Sequence, residues 1–248
     1  MCYQIIRRVG AAVSILQLAS CASGQQSQVA DTPTHAETTP TSSNPAAETP
    51  RGEWRFLFDG KSLAGWRVYR SQALPSGWQA RDGMLVKDRP TEDIVTIDQF
   101  ADFELEFDWK ISARGNSGVF YRATEEYDKI YWSATEYQLL DDASQPNLDR
   151  LTATGSAYAL YPAAAGAAKP AGEWNSSRIV ARGDHVQHWL NGRKLLDYEY
   201  GSPEWEAKVK AGKFVDWPNY GRARRGHIGV QGDHGGQLAL RNIRIREL

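Results

Sequence analysis

The nine residues FELEFDWKI, Phe103 to Ile111, alternate without a break. Successive side chains of a strand point to opposite faces, so Phe103, Leu105, Phe107, Trp109 and Ile111 share one side. Glu104, Glu106, Asp108 and Lys110 take the other. A strand with one apolar and one charged face suits an antiparallel sheet, with core on one side and water on the other.

The rest of the chain from about Arg51 repeats this grammar. Further strand candidates are GMLVKD, DIVTID, SGVFYRA, TEYQLLD, SAYALY, SRIVAR, DHVQHWL, RKLLDYEY, HIGVQG and QLALRNIRI. Turn signals separate them at Asp82-Gly83, Gly115-Asn116, Gly183-Asp184, Asn191-Gly192 and Gly235-Gly236. Such dipeptides supply the backbone conformations that tight turns require. One helix is predicted. Ser202 caps it, Pro203 opens it, Glu204 follows in the first turn and Gly212 can close it. Many strands and one short helix make an all-β chain, a sandwich or jelly roll, and exclude a parallel α/β sheet. PAAAGAAKPAG, residues 162–172, reads as a small-residue loop able to cover or border a cleft.

The first fifty residues are of another kind. Arg7 and Arg8 precede the apolar run VGAAVSILQLAS, which is too short to span a bilayer. A basic start, a short apolar stretch and small residues at its end form a secretory signal, residues 1–20. The run ends in LASC, which is similar to a bacterial lipobox, with Cys21 as the residue that would carry lipid. Two or more acyl chains hold a protein on a membrane stably where one does not. No acidic residue follows directly at Ala22 and Ser23, a pattern similar to that of sorting signals for the outer membrane. The expected location is therefore the periplasm or cell surface, with outer-membrane anchoring. Residues 22–50 contain no aromatic residue, Lys or Arg. Such a stretch buries too little apolar surface to offset its ordering entropy, so 21–50 reads as lipidated cysteine plus tether. The folded domain is then 51–248. It holds no cysteine, which excludes a disulfide, a thiolate metal site and a thiol nucleophile there. With a formal net charge of -1, the chain lacks the basic footprint of a nucleic-acid binder.

Familiar catalytic signatures are absent: there is no GxSxG, HExxH, P-loop or dinucleotide fingerprint. Polar candidates sit instead on four strands. In TEYQLLDD, Glu136 and Gln138 share one face, and Tyr137, Leu139 and Asp141 the other. A carboxylate and an amide two residues apart stand roughly 7 Å from each other, a spacing that suits contacts to one pyranose ring. A solvated polar face is the other reading. In GNSGVFYR, Asn116 and Ser117 lie in a tight turn, and Arg122 offers a forked donor for a carboxylate or hydroxyls, or else a structural ion pair. In HIGVQGDHGG, Gln231 ends a strand and Asp233-His234 sits in a glycine turn, where the histidine can be a base, a metal ligand or a turn cap. Glu136, His188, Asp233 and His234 are the candidate sources of ligands to a divalent metal, although no metal-ligand spacing appears and no cofactor is predicted. Few of the many aromatic side chains are expected at a ligand, with Tyr121, Trp132, Tyr137, Trp174, Trp189 and Tyr220 lying near these stretches.

His188 is the open case. The Asn191-Gly192 turn is a type I′ hairpin signal. It predicts pairing of His188 with Leu195 and of Val186 with Asp197. His188 then shares a face with Val186, Leu190 and Leu195, while Trp189, Leu196 and Tyr198 take the other. From the residues alone His188 is either a satisfied wall residue or a reagent in a cleft.

The segments FLFDGKSLAGWRV, WQARDGMLV, FADFELEFDWKI, GNSGVFYR, EYQLLDD, PAGEWNSSRIVARGDHVQHWLNGRKLLDY and GHIGVQGDHGGQLALRNIRI occur in an order that resembles the 3-keto-disaccharide hydrolase domain family. The likeness covers about residues 53–248. One departure is Leu240, where the family usually carries an aromatic residue. The resemblance implies a concanavalin-like jelly-roll β-sandwich whose concave sheet carries the ligand. It implies an exported enzyme that cleaves 3-keto-glycosides by C2 deprotonation and elimination or net hydrolysis. On that reading His188 and Glu136 share the proton transfers in either order. Arg122, Gln138, Gln231, Asp233 and His234 hold the oxidised sugar. A non-catalytic carbohydrate-binding lipoprotein is the alternative, and a glycosidase using Glu136 with Asp141 a third. Oligomeric state is not legible. All of this requires His188 and Glu136 to face one hollow.

Overall fold

A computed structural model describes residues 52–248. The signal-like segment, Cys21, the tether and Arg51 lie outside the described residues. Among the described residues thirteen strands run in chain order: β1 (Arg55–Phe56), β2 (Trp66–Val68), β3 (Gln79–Arg81), β4 (Met84–Lys87), β5 (Ile94–Phe100), β6 (Phe103–Ile111) and β7 (Asn116–Ala123). They continue with β8 (Thr135–Leu140), β9 (Asn175–Arg182), β10 (His185–Leu190), β11 (Arg193–Glu199), β12 (Gly226–Val230) and β13 (Leu238–Glu247), with helix α1 (Pro203–Ala211) before β12. They form two antiparallel sheets. The larger runs β11-β10-β9-β6-β13-β4-β3, with β1 added to β13, and the smaller runs β2-β5-β12-β7-β8. This is the expected all-β sandwich with one short helix.

Strand β6 lies in the larger sheet, between β9 and β13. Its five apolar side chains are buried between the sheets. Its charged side chains meet guanidinium groups on neighbouring strands: Arg178 reaches Glu104 at 3.1 Å, Arg244 reaches Glu106 at 2.5 Å, and Arg246 also reaches Glu104. The outer face is therefore an ion-pair lattice as well as a wetted surface. Inside, polar groups are matched in series. Trp109 Nε1 donates to Ser177 Oγ, Ser177 donates to Tyr137 Oη, and Tyr137 donates to the Trp189 carbonyl. Such pairing is what burial demands of polar atoms.

The helix forms where its caps predict. Ser202 accepts from the Trp205 amide at 3.1 Å, Pro203 opens the first turn, and Gly212 ends the last. Trp205 and Val209 anchor it, with Trp205 stacked near Tyr198 and Tyr220.

Two local readings need correction. SAYALY is not a strand. Ala159 turns back at φ 61°, and only isolated bridges join Tyr137 to Ala157 and Ala157 to Tyr161. The segment instead covers the edge of β8, with Gly155 donating to the Gln138 carbonyl and Tyr158 to that of Glu136. An edge strand left open would be a template for association. The hairpin has its positive φ at Asn191 and Gly192 as predicted, but a bulge follows. Trp189 pairs with Lys194, and His188 then pairs with Leu196, skipping Leu195. The extra residue puts both Leu195 and Tyr198 into the core and moves Val186 opposite Tyr198.

Candidate functional site

His188 is fully buried between the sheets. Its Nδ1 faces the Gly155 carbonyl at 2.9 Å, and a carbonyl can only accept, so that nitrogen carries the proton. Its Nε2 accepts from Tyr121 Oη at 2.8 Å, and Tyr121 is in turn bonded to Tyr198 Oη at 2.6 Å. The Tyr137 ring lies 4.7 Å away. Burial pulls the imidazole down to a pKa of about 4, opposed only by the Gly155 bond. His188 is thus a neutral, fully satisfied wall residue.

Glu136 is the neighbour of Tyr137 along β8 and points the opposite way, onto the outer face of the five-stranded sheet. The two side chains expected to share a hollow lie on different sides of that sheet. This corrects the pairing of His188 with Glu136 and removes His188 from the possible metal-ligand set. Among the described residues, no group of three or more His, Cys, Asp or Glu side chains is arranged to hold a metal.

Arg122 is also elsewhere. It sits at a bulge, with φ 54°, where β7 and β12 shift register. Its guanidinium donates to the carbonyls of Ala101 and Gly183 and meets Asp102 at 3.1 Å. It rivets two turns together and does not line the cavity. Asp141 is likewise absent from it, accepting from the Arg114 amide at 2.8 Å.

The cavity around Glu136 has a volume of about 220 Å³. Glu136, Gln138, Gln231 and His234 converge there, joined by Asn116, Tyr131, Tyr158 and Lys213. Strand alternation accounts for much of this. Glu136 and Gln138 are two apart on β8, and Asn116 lies opposite Leu140 on the adjoining β7. Gln138 donates to Asn116 Oδ1 at 3.1 Å. The amide oxygens of Gln138 and Gln231 are buried without a partner. Buried acceptors are seldom left unmatched, so each oxygen has a lone pair open to a donor entering the cavity.

Gly118 makes room for the acid. A Cβ on it would lie 2.1 Å from Glu136 Oε1. Burial drives the Glu136 carboxyl up to about 8, against the opposing pull of Lys213 and His234 and with help from Asp93 and Asp233. At neutral pH the group is a carboxylic acid able to give a proton.

His234 is held by Asp233, whose Oδ1 lies 2.6 Å from Nδ1. That bond, more than the nearby charges, lifts the imidazole above its ordinary range despite partial burial. Nδ1 is therefore the bonded nitrogen and Nε2 the one left for other partners. The turn carrying the pair is clamped from below. Lys87 Nζ donates to the carbonyls of His234 and Gly236, and Asp93 accepts from the Gly232 amide. Gly232 itself leaves no room for a side chain, since a Cβ would meet the Glu92 carbonyl oxygen at 2.0 Å.

Sequence reading missed Lys87, Asp93, Tyr131, Tyr158 and Lys213. Lys213 directly follows the predicted helix cap Gly212, the one local signal that could have drawn attention to it. Tyr131 and Tyr158 are the aromatic lining, in place of those expected. The small-residue loop 162–172 packs elsewhere, with Ala164 donating to the Leu195 carbonyl and Ala167 accepting from Asn191. A larger hollow of about 340 Å³ lies on the outer face of the other sheet, near Glu104, Arg178 and Trp189. Arg178, which lines it, is already committed to Glu104 and to the Trp189 ring.

Fold and site together define a β-sandwich protein with an acid and an aspartate-held histidine in a polar cavity on its smaller sheet. The chain belongs to the 3-keto-alpha-glucoside-1,2-lyase-like domain family, whose model matches residues 53–246. It is 35% identical over 225 residues to a 3-keto-disaccharide hydrolase of Bacteroides thetaiotaomicron, with 77% of each chain covered. A solved structure from Parabacteroides distasonis, described as a glycosyl hydrolase, is 36% identical with a TM-score of 0.74, covering 79% of this chain and 94% of that one. A second from the same organism, similarly described, is 30% identical with a TM-score of 0.63, covering 79% and 100%.

Proposed function

We propose that the protein cleaves the glycosidic bond of 3-keto-glycosides, with His234 as base and Glu136 as acid. The observation that carries this is one cavity holding a protonated carboxyl, an aspartate-held imidazole and two unpaired amide oxygens. Family membership and the name of the Bacteroides relative support the substrate class. A cavity of this size is smaller than the ~300–1,000 Å³ of drug-sized pockets and suits one sugar ring.

A ketone at C3 acidifies the C2 hydrogen. His234 Nε2 takes that proton, and the electron pair moves onto the C3 oxygen as an enolate. Collapse of the enolate breaks the bond from C1 to the leaving oxygen, which receives the Glu136 proton. The products are a 1,2-unsaturated ketone and the free aglycone. Water can then add at C1, losing its proton to the Glu136 carboxylate while His234 returns its proton to C2, so that the net result is hydrolysis. Asp233 orients the ring and stabilises the imidazolium formed midway. Gln138 and Gln231 accept from sugar hydroxyls. A two-carboxylate glycosidase needs a second acid across the bond, and Asp141 is not placed to be one.

The decisive experiment incubates the purified protein with a glucoside and with its 3-keto form, following aglycone release and enone absorbance. Reaction with the keto form alone supports the reading. Reaction with both returns it to an orthodox glycosidase, and reaction with neither to a binding protein. The proposal extends to location: Cys21 is lipidated, and the domain works outside the cytoplasm on a tether. Incorporation of labelled palmitate that survives Cys21→Ser would refute that part.

A further inference from the structure

Elimination through an enolate is best served by a cation at the C3 oxygen, and none of the groups assigned above is a cation free for that task. Glu136 must serve the leaving oxygen and His234 the C2 proton. The buried unpaired atoms of Gln138 and Gln231 are acceptors, which an oxyanion repels, and the Gln231 amide N–H is an uncharged donor. Resting on the proposed reaction, we infer that Lys213 is a further catalytic residue, holding the C3 carbonyl oxygen and stabilising the enolate.

Lys213 is the lysine lining the cavity, together with Glu136 and His234. Its position is built. Helix α1, anchored by buried Trp205 and Val209, ends at Gly212 and hands the chain to Lys213. Phe214 follows as a buried residue stacked on Tyr220, with centroids 3.9 Å apart. The lysine therefore leaves a fixed backbone. Its Nζ lies 3.9 Å above the Tyr158 ring and 5.3 Å from that of Phe214. Among the described residues, no carboxylate lies within ion-pair reach of it. A cation held on a ring face keeps its hydrogen-bond donors for another partner, whereas one locked in a carboxylate pair has spent them.

The ring contact also favours the ammonium form over the free amine. So does the contact of the lysine with solvent. Desolvation where the side chain reaches into the cavity lowers its pKa, a fall that Glu136 opposes only when it is ionised. The lysine acts as a charged donor and not as a nucleophile. In the reaction it forms no covalent bond. The electron pair from the C2–H bond accumulates on the C3 oxygen beside the ammonium and returns when the leaving group departs. The same contact explains selection for a ketone, since a C3 hydroxyl develops no charge for the ammonium to meet.

The test compares the full-length wild type with Lys213→Met and Lys213→Arg on a 3-keto-glucoside. Lys213→Met should lower kcat about 100-fold, the loss typical of a removed oxyanion donor, with KM changed only a few-fold. Lys213→Arg should recover part of that loss. The C2-deuterium isotope effect on kcat should rise in the Met variant, because proton removal then limits the rate. A kcat for Lys213→Met within about threefold of wild type overturns the assignment. So does covalent tagging of Lys213 by the substrate and cyanoborohydride, which would make it a Schiff-base nucleophile. Failure of the wild type to turn over the keto sugar overturns the proposed reaction and this role with it. Wild-type turnover with an indifferent Met variant overturns this role alone.

Discussion

Gly118 lies beneath Glu136: a methyl group there would come within 2.1 Å of Oε1 and 2.5 Å of Cγ. The clash involves the stem of the acid as well as its tip, so the side chain would have to leave its present rotamer. Gly118→Ala should therefore cost kcat about 10- to 100-fold on a 3-keto-glucoside, because small misplacements of a catalytic group carry such penalties. Steady-state kinetics beside a thermal melt checks this. Unchanged kcat in a folded variant would show that the acid does not depend on its present position.

On the proposed mechanism, Asp233 should set the acid limb of the pH profile through His234. Its bond to Nδ1 is the main reason the His234 pKa is raised. Asp233→Asn removes the charge, so the histidine loses its proton more easily and the acid limb moves to lower pH. Maximal kcat should fall ~10-fold or more as imidazolium stabilisation is lost. In the wild type, activity should also decline above about pH 8, where Glu136 no longer carries a proton. A pH-rate series for both proteins reads these limbs as properties of the coupled pair.

Glu136→Gln should be inactive and more stable. Between the ordinary 4.5 and about 8, the unfolded chain has released this proton and the folded chain has kept it. Folding is then progressively disfavoured as pH rises through that window. Removing the titration should raise stability at pH 7 by roughly 1–3 kcal/mol. Denaturant unfolding at pH 5 and pH 7 tests the sign, with the gain expected to be larger at pH 7.

For His188 the linkage runs the other way. Its pKa falls from 6.5 to about 4 on burial, so the unfolded chain binds a proton that the folded chain refuses. Stability is lost as pH drops from about 6.5 to about 4, by up to about 3 kcal/mol. His188→Gln should make that slope shallower. His188→Ala should cost about 2–4 kcal/mol through a cavity and the unpaired Gly155 and Tyr121 groups. Turnover per folded molecule should stay within a few-fold. Abolished turnover with an unchanged melt would restore the histidine as a reagent.

Much of the domain was legible in its chain because the deciding physics is local. Alternation in FELEFDWKI reports which face meets the core, whatever strand lies beside it. The Asn191-Gly192 turn and the Ser202-Pro203 cap depend on φ preferences and one nearby hydrogen bond. The same alternation placed Glu136 and Gln138 on one face, and the glycine turn put Asp233 next to His234. The family likeness then brought these into one site.

What tertiary structure alone decided is which side of a sheet each face meets, and what arrives from far along the chain. Both faces near His188 are partly apolar, so periodicity could not separate core from cleft, and a one-residue bulge at Leu195 overrode the hairpin register. Arg122 left the cavity through a positive φ that no composition rule marks. Lys213, Tyr131 and Tyr158 reach the cavity from loops and a helix end, positioned by packing between residues distant in sequence. Local patterns encode orientation about the chain axis, but convergence is a property of the packed whole.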